Sequence, residues 1–235
     1  MGTSLHPPQL ITGSRTLYLV WLPADPAAVD KLVPEGLTPA EDRSCYINQY
    51  VVDGPDQTST AGSGETFGAY SLTYLGANLA ELDTEDGVPG RWWTHYYNSS
   101  EVMSRYAAAH GVPVSEPGRT TLDLDGDTLV VTTHIGGRPV IRTTARVTIG
   151  TPQRATGQLR YITRRDDEFV SGRYPYVADV AEHFEVLSFE FLDENHPTYQ
   201  LRPADPLNVT FGFYSPSMTF CYPGGEGPLG TEHGS

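Results

Sequence analysis

Residues 94–124 read THYYNSSEVMSRYAAAHGVPVSEPGRTTLDL and contain the signals of a strand, a short helix and a second strand in close succession. The aromatic run RWWTHYY at 91–97 has the length and composition of a strand. In a strand successive side chains point to opposite faces. The run therefore predicts that Trp93, His95 and Tyr97 share one face.

The helix within this stretch is marked at both of its ends. Asn98, Ser99 and Ser100 supply capping side chains for its start, and Gly111 supplies the residue at which helices commonly close. The turn GVPVS at 111–115 then delivers the chain into the following strand. A strand, a helix, a turn and a strand are thus predicted in this order.

Strand-like runs recur on both sides of this stretch, separated by Gly, Pro, Asn and Asp residues. They are predicted at residues 15–22, 44–52, 66–75, 119–124, 128–134, 140–149, 158–163, 185–192, 208–214 and 218–222. In one of them Tyr70, Leu72 and Tyr74 share a face. Asp25 and Pro26 open a further short helix. Many strands with two or three short helices predict an α+β fold that is mainly antiparallel β.

The length of 235 residues suits one domain with a sizeable core. We expect that domain to span residues 15–222. Residues 1–14 are polar and contain Pro7 and Pro8, which predicts a loosely held arm. The Gly-rich residues 223–235 predict a disordered tail.

The chain is acidic, with a formal net charge of −14 at pH 7. Such a charge repels phosphate backbones and anionic lipid, so neither a nucleic acid partner nor a membrane partner is expected. No apolar run approaches the roughly 20 residues that span a bilayer, and the N-terminal sequence lacks the plan of a signal peptide. We therefore expect a cytoplasmic protein in which the isolated Cys45 and Cys221 are free thiols.

The sequence offers no metal-binding or cofactor-binding pattern. Its histidines are dispersed, without the His-x-His or His-Glu-x-x-His spacing of metal sites, so no metal and no other cofactor is predicted. Lys31 is the single lysine, and it lies on the predicted helix that follows Asp25. Amine catalysis therefore has one candidate, which is poorly placed for it.

Three short segments give the chain a resemblance to a known family. The first helix runs into LVPEGL at 32–37, a strand begins with FGAYSL at 67–72, and the second helix runs into GVPVS at 111–115. In this order they resemble the acetoacetate decarboxylase family, in which the last segment is an aromatic-Pro-Lys-Lys turn. The resemblance covers residues 15–150, and the remainder only in strand order. It implies a closed, cone-like antiparallel sheet around an apolar pocket, short peripheral helices and assembly into homo-oligomers.

The resemblance also implies a changed pocket. The pocket arginine of the family corresponds to Arg15, which is kept. One family glutamate corresponds to Leu72 and a second falls near Asn48, so neither carboxylate is kept. The Schiff-base lysine corresponds to Val114 and its lysine neighbour to Ser115. Because valine cannot form an imine, decarboxylation by the mechanism of the family is disfavoured.

A pocket without those charges suits a larger, hydrophobic small molecule. We predict a cyclase or isomerase of secondary metabolism, such as polyketide or antibiotic biosynthesis, which folds a polyketide-like or polyene intermediate. Ring formation would follow from orientation and hydrogen bonding, without a covalent intermediate. The predicted catalytic residues are Tyr70, Tyr74 and His95. The predicted substrate-binding residues are Arg15, Asn48, Leu72, Trp93, Tyr97, Val114 and Glu116.

The residues leave two other functions open. One is a non-catalytic small-molecule binding protein that has kept the cavity. The other is a hydratase, dehydratase or aldol-type lyase with Tyr, His or Glu acid-base groups, for which Glu116 is the carboxylate nearest to the altered turn. Each of these residues also has a purely structural interpretation. The aromatic faces are consistent with ordinary core packing, and His95 with a structural histidine. Arg15 is consistent with an ion pair at the mouth of a barrel.

Overall fold

The computed structural model describes residues 6–60, 66–80 and 90–229. Within these ranges the strands are β1 Gln9–Trp21, β2 Cys45–Val52, β3 Thr58–Thr60, β4 Tyr70–Asn78, β5 Arg91–Asn98, β6 Gly118–Asp125, β7 Thr128–Ile135, β8 Arg138–Thr148, β9 Gln153–Arg165, β10 Glu168–Val180, β11 His183–Phe191, β12 Val209–Tyr222 and β13 Gly227–Pro228. The helices are α1 Pro26–Leu32 and α2 Glu101–Ala109, with short 3-10 helices at Pro55–Gln57 and Pro197–Leu201. None of the helices described is long and apolar enough to cross a membrane.

Seven strands close into a barrel. They follow one another in the order β12, β1, β2, β4, β5, β9 and β10, and a second pairing between β12 and β10 completes the circle. Neighbours are antiparallel except β5 and β9, which run parallel. The predicted α+β fold, with a closed, mainly antiparallel sheet and few short helices, is confirmed. Closure of the sheet encloses an interior.

A second antiparallel sheet lies against the outside of the barrel. Its strand order is β11, β8, β7 and β6. Leu17, Ile47 and Leu75 project from the barrel into the same buried cluster as Val131 and Ile141 of the second sheet. The molecule thus has two apolar clusters: one lies between the sheets, and the other lies inside the barrel.

β5 contains an irregularity that controls which of its side chains enter the barrel. Leu75 pairs with His95, but the next residue, Gly76, pairs with Trp93. Thr94 is therefore an extra residue in β5, which is the definition of a β-bulge. Beyond the bulge the alternation of inward and outward side chains is shifted by one position.

The predicted shared face of β5 is wrong because of this bulge. Trp93 belongs to the cluster inside the barrel, whereas Tyr97 belongs to the cluster outside it. His95 stacks on Tyr97 and so lies outside as well. Gly76 makes the bulge possible, since a Cβ at this position would lie 1.9 Å from the carbonyl oxygen of Trp92.

Both predicted helices begin and end where their capping residues indicate. The carboxylate of Asp25 accepts a hydrogen bond from the backbone N–H of Ala27 at 3.0 Å. The hydroxyl of Ser100 accepts one from the backbone N–H of Met103 at 3.3 Å. Gly111 follows α2 with a φ of 81°, a conformation that favours glycine.

The folded part of the chain extends beyond both predicted boundaries. β1 begins at Gln9, where it pairs with β12 and β3, so the predicted arm at 1–14 is too long. At the other end, Gly227 and Pro228 pair with β10. The first residues of the predicted disordered tail, 223–235, are therefore part of the fold. Residues 1–5 and 230–235 lie outside the described residues.

Candidate functional site

Aromatic side chains line the interior of the barrel. The set comprises Tyr18, Tyr46, Tyr50, Tyr70, Tyr74, Trp93, Tyr96, Tyr161, Tyr174, Phe220 and Tyr222. Their rings contact one another edge to face or stacked, and the Tyr74 and Trp93 centroids lie 4.7 Å apart. Such contacts stabilise an interior beyond the area that they bury. The walls are therefore apolar, but they carry many phenolic hydroxyl groups.

Tyr74 lies at the centre of a hydrogen-bonded chain of side chains in the interior. The amide nitrogen of Asn48 donates to the Tyr74 hydroxyl at 2.7 Å, and the Tyr74 and Tyr174 hydroxyls bond to each other. Among the described residues, the buried Oδ1 atom of Asn48 has no hydrogen-bond partner. A buried acceptor without a partner is unfavourable. This end of the chain is therefore suited to accept a hydrogen bond from a bound molecule.

A second chain of hydroxyls lies towards the end of the barrel where β4 begins. The Tyr50 hydroxyl lies 2.9 Å from that of Tyr70 and 3.4 Å from that of Tyr222. All three side chains are buried. The predicted catalytic Tyr70 thus belongs to a polar network inside the barrel.

Arg91, the first residue of β5, brings a positive charge into this interior. Its Nε donates to the Tyr18 hydroxyl at 2.6 Å, and its guanidinium carbon lies 5.3 and 5.5 Å from the ring centroids of Tyr18 and Tyr46. Burial raises the pKa of Tyr18 by more than Arg91 lowers it, so the hydroxyl keeps its proton. A hydroxyl that accepts a bond from a cation is a better donor to a third group.

Burial also raises the pKa of the other tyrosines in the interior. The largest cause is desolvation in each case, and the affected residues include Tyr46, Tyr50, Tyr70, Tyr74 and Tyr174. At neutral pH these hydroxyls are protonated. They can donate hydrogen bonds to a carbonyl or an enolate oxygen, but they are not bases.

A cleft lies between α2 and the wall of the barrel. It is lined by Trp93, Tyr96, Met103, Tyr106, Ala107, His110, Val112, Tyr161, Tyr222 and Glu226. The space that a water-sized sphere can occupy in it measures about 20 Å³. Trp93, Tyr96, Tyr161 and Tyr222 also belong to the aromatic interior. The cleft is therefore continuous with the walls of the barrel.

Glu226 is the acceptor of two side chains in this cleft. The Tyr161 hydroxyl donates to its Oε1 at 2.7 Å, and Nδ1 of His110 lies 3.2 Å from its Oε2. Burial alone would raise the pKa of Glu226, but the bonds from His110 and Tyr161 outweigh it and lower the pKa to about 2. Glu226 is therefore a carboxylate at neutral pH, although only 7% of its side chain is exposed.

The end of α2 fixes the position of His110. His110 caps the helix, and the N–H of Val112 bonds to the carbonyl of Ala107 at 3.1 Å. A Cβ at Gly111 would lie 2.8 Å from the carbonyl oxygen of Arg164, so only glycine lets this turn press against β9. The imidazole is consequently held at the cleft by the turn that resembles the lysine-bearing turn of the family.

Five of the residues that the sequence singled out come together inside the barrel. They are Asn48, Tyr70, Leu72, Tyr74 and Trp93. Val114 packs against the same cluster, and its backbone forms a bridge with Tyr96. These six residues therefore belong to one buried cluster or contact it.

Three others lie on the outer side of β5. His95 and Tyr97 stack with 6.1 Å between centroids, and Tyr97 contacts His196 at 5.8 Å. Oε1 of Glu116 lies 3.5 Å from Nε2 of His196. Burial, and to a smaller extent His196, lowers the pKa of His95 to about 4. The structure does not bring this group to Tyr70 and Tyr74.

Arg15 also lies outside the barrel. Its guanidinium makes two hydrogen bonds to the carboxylate of Asp53, at 2.8 and 2.7 Å, and a third to the backbone carbonyl of Leu122 in β6. Leu122 belongs to the core between the sheets. Arg15 therefore joins the two sheets, in agreement with its interpretation as an ion-pair residue.

The sequence interpretation missed Arg91, His110, Tyr161 and Glu226. The position of Arg91 could have been predicted from the sequence. It lies two residues before Trp93 on the unbulged part of β5, so both side chains point to the same face of the strand. The role of Glu226 could not have been predicted, since this residue falls in the Gly-rich segment that predicted disorder. In the parts of the chain that the structure describes, no group of three or more His, Cys, Asp or Glu residues is arranged to hold a metal ion.

Comparison with known proteins gives matches in structure alone. No family model matches the chain, and no curated protein matches it. An acetoacetate decarboxylase superposes with a TM-score of 0.57 at 17% identity, over 93% of this chain and 88% of the other. An acetoacetate decarboxylase-like enzyme from Sphingomonas wittichii RW1 gives 0.63 at 14% identity, over 94% and 92%.

A biosynthetic enzyme is among the similar structures. The enduracididine biosynthesis enzyme MppR, complexed with the condensation product of pyruvate and imidazole 4-carboxaldehyde, gives a TM-score of 0.61 at 14% identity, over 95% of this chain and 89% of that one. Identities this low establish the fold and no more. The protein described here has the acetoacetate decarboxylase-like fold.

Proposed function

We propose that the protein is an enzyme that binds a hydrophobic carbonyl compound inside the barrel and promotes its cyclisation or isomerisation without a covalent intermediate. The observation that carries the proposal is the pairing of aromatic walls with protonated hydroxyls around Asn48, Tyr74 and Tyr174. Apolar walls favour a hydrophobic substrate, and a few hydrogen-bond donors at defined positions fix its orientation.

The chemistry proposed needs no nucleophile. The one lysine of the sequence, Lys31, is exposed on α1 outside the barrel, and Val114 occupies the turn where the resemblance places a Schiff-base lysine. An imine mechanism therefore has no lysine in the interior. Confining a flexible chain in a reactive conformation can lower a barrier by several kcal/mol, up to about 7–11 in the best intramolecular cases.

Tyrosine hydroxyls would supply the electrostatic part of the catalysis. Tyr74, and Tyr18 next to the Arg91 guanidinium, are donors in a dry environment where hydrogen bonds to a developing oxyanion are strong. Suitable reactions are conjugate additions and pericyclic closures of polyene or poly-β-carbonyl chains. Both keep all atoms of the substrate and need no cofactor.

An aldol-type condensation or dehydration is a second candidate. It is favoured by the acid-base groups His110, Glu226 and Tyr161 at the cleft beneath α2. The structural neighbour MppR, complexed with a condensation product of pyruvate and an aldehyde, is consistent with carbonyl chemistry on this fold. It gives no information on the substrate of this chain.

Incubation with defined linear probes tests the proposal. We would use a triene with a tethered dienophile and a linear poly-β-ketone thioester, and compare rate and enantiomeric excess with the spontaneous reaction. Tyr74→Phe should lower the rate about tenfold to a hundredfold, while Tyr199→Phe, in the 3-10 helix outside the barrel, should not. A rate and stereochemistry equal to the spontaneous reaction would reject the proposal. Tight binding without turnover would favour the binding-protein alternative.

A further inference from the structure

The His110–Glu226 pair beneath α2 has the arrangement of a proton-transfer site. We infer that His110 is a general base that removes a proton from the carbon next to a carbonyl group, with Glu226 and Tyr161 as its positioning residues. This inference rests on the proposed function and narrows its substrate class to enolisable carbonyl compounds. His110 is the catalytic residue, because its ring lines the cleft.

The hydrogen bonds fix the tautomer of the His110 ring. Because Glu226 is ionised, both of its oxygens are acceptors only. Its contact with Nδ1 of His110 therefore requires a proton on Nδ1 when the ring is neutral, which leaves the lone pair on Nε2. The bond from Tyr161 to the other oxygen holds the carboxylate in place. Glu226 also stabilises the positive charge that the ring acquires with the proton.

The walls of the cleft provide an acid for the other half of the reaction. The ring of Tyr106 packs against His110 with 4.4 Å between centroids. The Tyr96 hydroxyl accepts a hydrogen bond from the amide of Asn98 at 3.2 Å, so its own proton is available to a ligand. Tyr96 lines the same cleft as His110. An oxyanion formed there would be stabilised by this donor.

The step conserves atoms and electrons. The C–H bond next to the carbonyl breaks, and the proton moves to Nε2 of His110. The electron pair forms a carbon–carbon double bond as the carbonyl π electrons move to oxygen, which accepts a hydrogen bond from Tyr96. If the proton on Nε2 exchanges with a deuteron from the solvent before it returns to the same carbon, the result is isotope exchange; delivery to a conjugated carbon gives an isomer. Neither outcome needs an oxidant, a reductant or a metal.

Other ionisable groups surround the pair and must be considered in any pH profile. Tyr106 faces it from α2, Tyr161 and Arg165 from β9, and Cys221 and Tyr222 from β12. Burial raises the pKa of Tyr106, Tyr161 and Tyr222, and that of the Cys221 thiol, so these groups stay protonated at neutral pH.

Hydrogen–deuterium exchange of simple ketones tests the inference. The probes are 2-tetralone and cyclohexanone in deuterated buffer, followed by proton NMR with the full chain. We expect the wild-type protein to exchange the protons next to the carbonyl, and His110→Gln to lose about a hundredfold of that rate. Glu226→Gln should lose less and should change the pH profile, and His183→Gln, an exposed histidine on β11, should match the wild type.

Two further readouts separate the possible outcomes. Free imidazole should restore exchange to His110→Ala, and the nitrogen NMR spectrum of His110 should show the proton on Nδ1 in the wild type but not in Glu226→Gln. Absence of exchange in the wild type, or full exchange in His110→Gln, would overturn the inference. Cyclisation of the triene probe requires no proton transfer. If that cyclisation is stereoselective while exchange is absent, the proposed function stands and this inference fails, and the reverse pattern rejects the cyclase.

Discussion

The ring of Tyr161 lies directly over Gly172, its partner across β9 and β10. A Cβ on Gly172 would lie 2.3 Å from the Tyr161 hydroxyl oxygen and 2.4 Å from the ring carbon that bears it. No side chain fits at such distances. The glycine therefore leaves the space through which Tyr161 crosses β10 and reaches Glu226, where its hydroxyl donates at 2.7 Å.

Gly172→Ala should displace Tyr161 and break its bond to Glu226. We expect the free energy of unfolding to fall by about 1–3 kcal/mol, which is the usual cost of overpacking a buried position, measured by urea denaturation. In a Tyr161→Ala background the same substitution should cost much less, because the clashing ring is gone. If Gly172→Ala lowered the free energy of unfolding equally in both backgrounds, the position of the Tyr161 ring would not depend on Gly172.

Tyr74→Phe should weaken both stability and activity. The substitution leaves the amide nitrogen of Asn48 and the hydroxyl of Tyr174 without the Tyr74 oxygen, so we expect a loss of about 1–3 kcal/mol in the free energy of unfolding. Leu72→Val, which only shortens a neighbouring side chain on β4, provides the packing control. If Tyr74→Phe unfolds at the same urea concentration as the wild type, the hydroxyl chain does not contribute to stability.

His95 should make the protein less stable in mild acid. Its pKa falls from 6.5 to about 4 in the folded protein, mainly through burial and secondly through His196. The unfolded chain takes up a proton near pH 6.5 that the folded protein takes up only near pH 4. Stability is therefore complete above pH 6.5 and declines as the pH falls towards 4, by at most about 3 kcal/mol.

Urea denaturation at successive pH values measures this decline. His95→Gln should flatten the curve between pH 6.5 and 4, whereas His183→Gln, on the exposed surface of β11, should leave it unchanged. The neighbouring His196 and Glu116 are present in both variants. Parallel curves for the wild type and His95→Gln would show that His95 is not the titrating group.

Much of the barrel could be predicted because its strands alternate and its helices carry ordinary caps. β10 was not predicted, since Gly172 and Pro175 interrupt the run 168–180 and both disfavour strands. The structure accommodates each of them. Gly172 lies under Tyr161, and Pro175 falls between the part of β10 that pairs with β13 and the part that pairs with β12.

The candidate site was harder to predict because it depends on two long-range effects. The bulge at Thr94 requires Gly76 on the neighbouring strand, and nothing within residues 91–97 indicates it. Local alternation therefore placed His95 and Tyr97 beside Trp93. Glu226 contacts His110 and Tyr161 only in the folded barrel, because these residues are far apart in the sequence. No local sequence pattern around Glu226 therefore predicts these contacts.

Arg15→Gln should leave ligand binding and turnover within about twofold of the wild type. The guanidinium is outside the barrel, bound to Asp53 and to β6, although the resemblance suggested a pocket residue. The pair with Asp53 is partly exposed, so its loss should cost no more than about 1 kcal/mol. Arg91→Gln is the contrasting variant, and it should lower probe turnover strongly. A loss of turnover in Arg15→Gln comparable to that in Arg91→Gln would place Arg15 at the site.

Borohydride reduction in the presence of pyruvate or acetoacetate should produce no covalent adduct. Imine formation requires an amine at the substrate, and the only lysine, Lys31, is exposed on α1 away from the interior. Intact-mass spectrometry after reduction checks this, and Val114→Lys provides the comparison because it restores an amine at the turn beside Tyr96. A stoichiometric adduct on the wild-type chain, mapped to Lys31 by peptide analysis, would contradict the non-covalent mechanism. An adduct confined to Val114→Lys would show that the barrel still admits small keto acids and that Val114 alone prevents the covalent route.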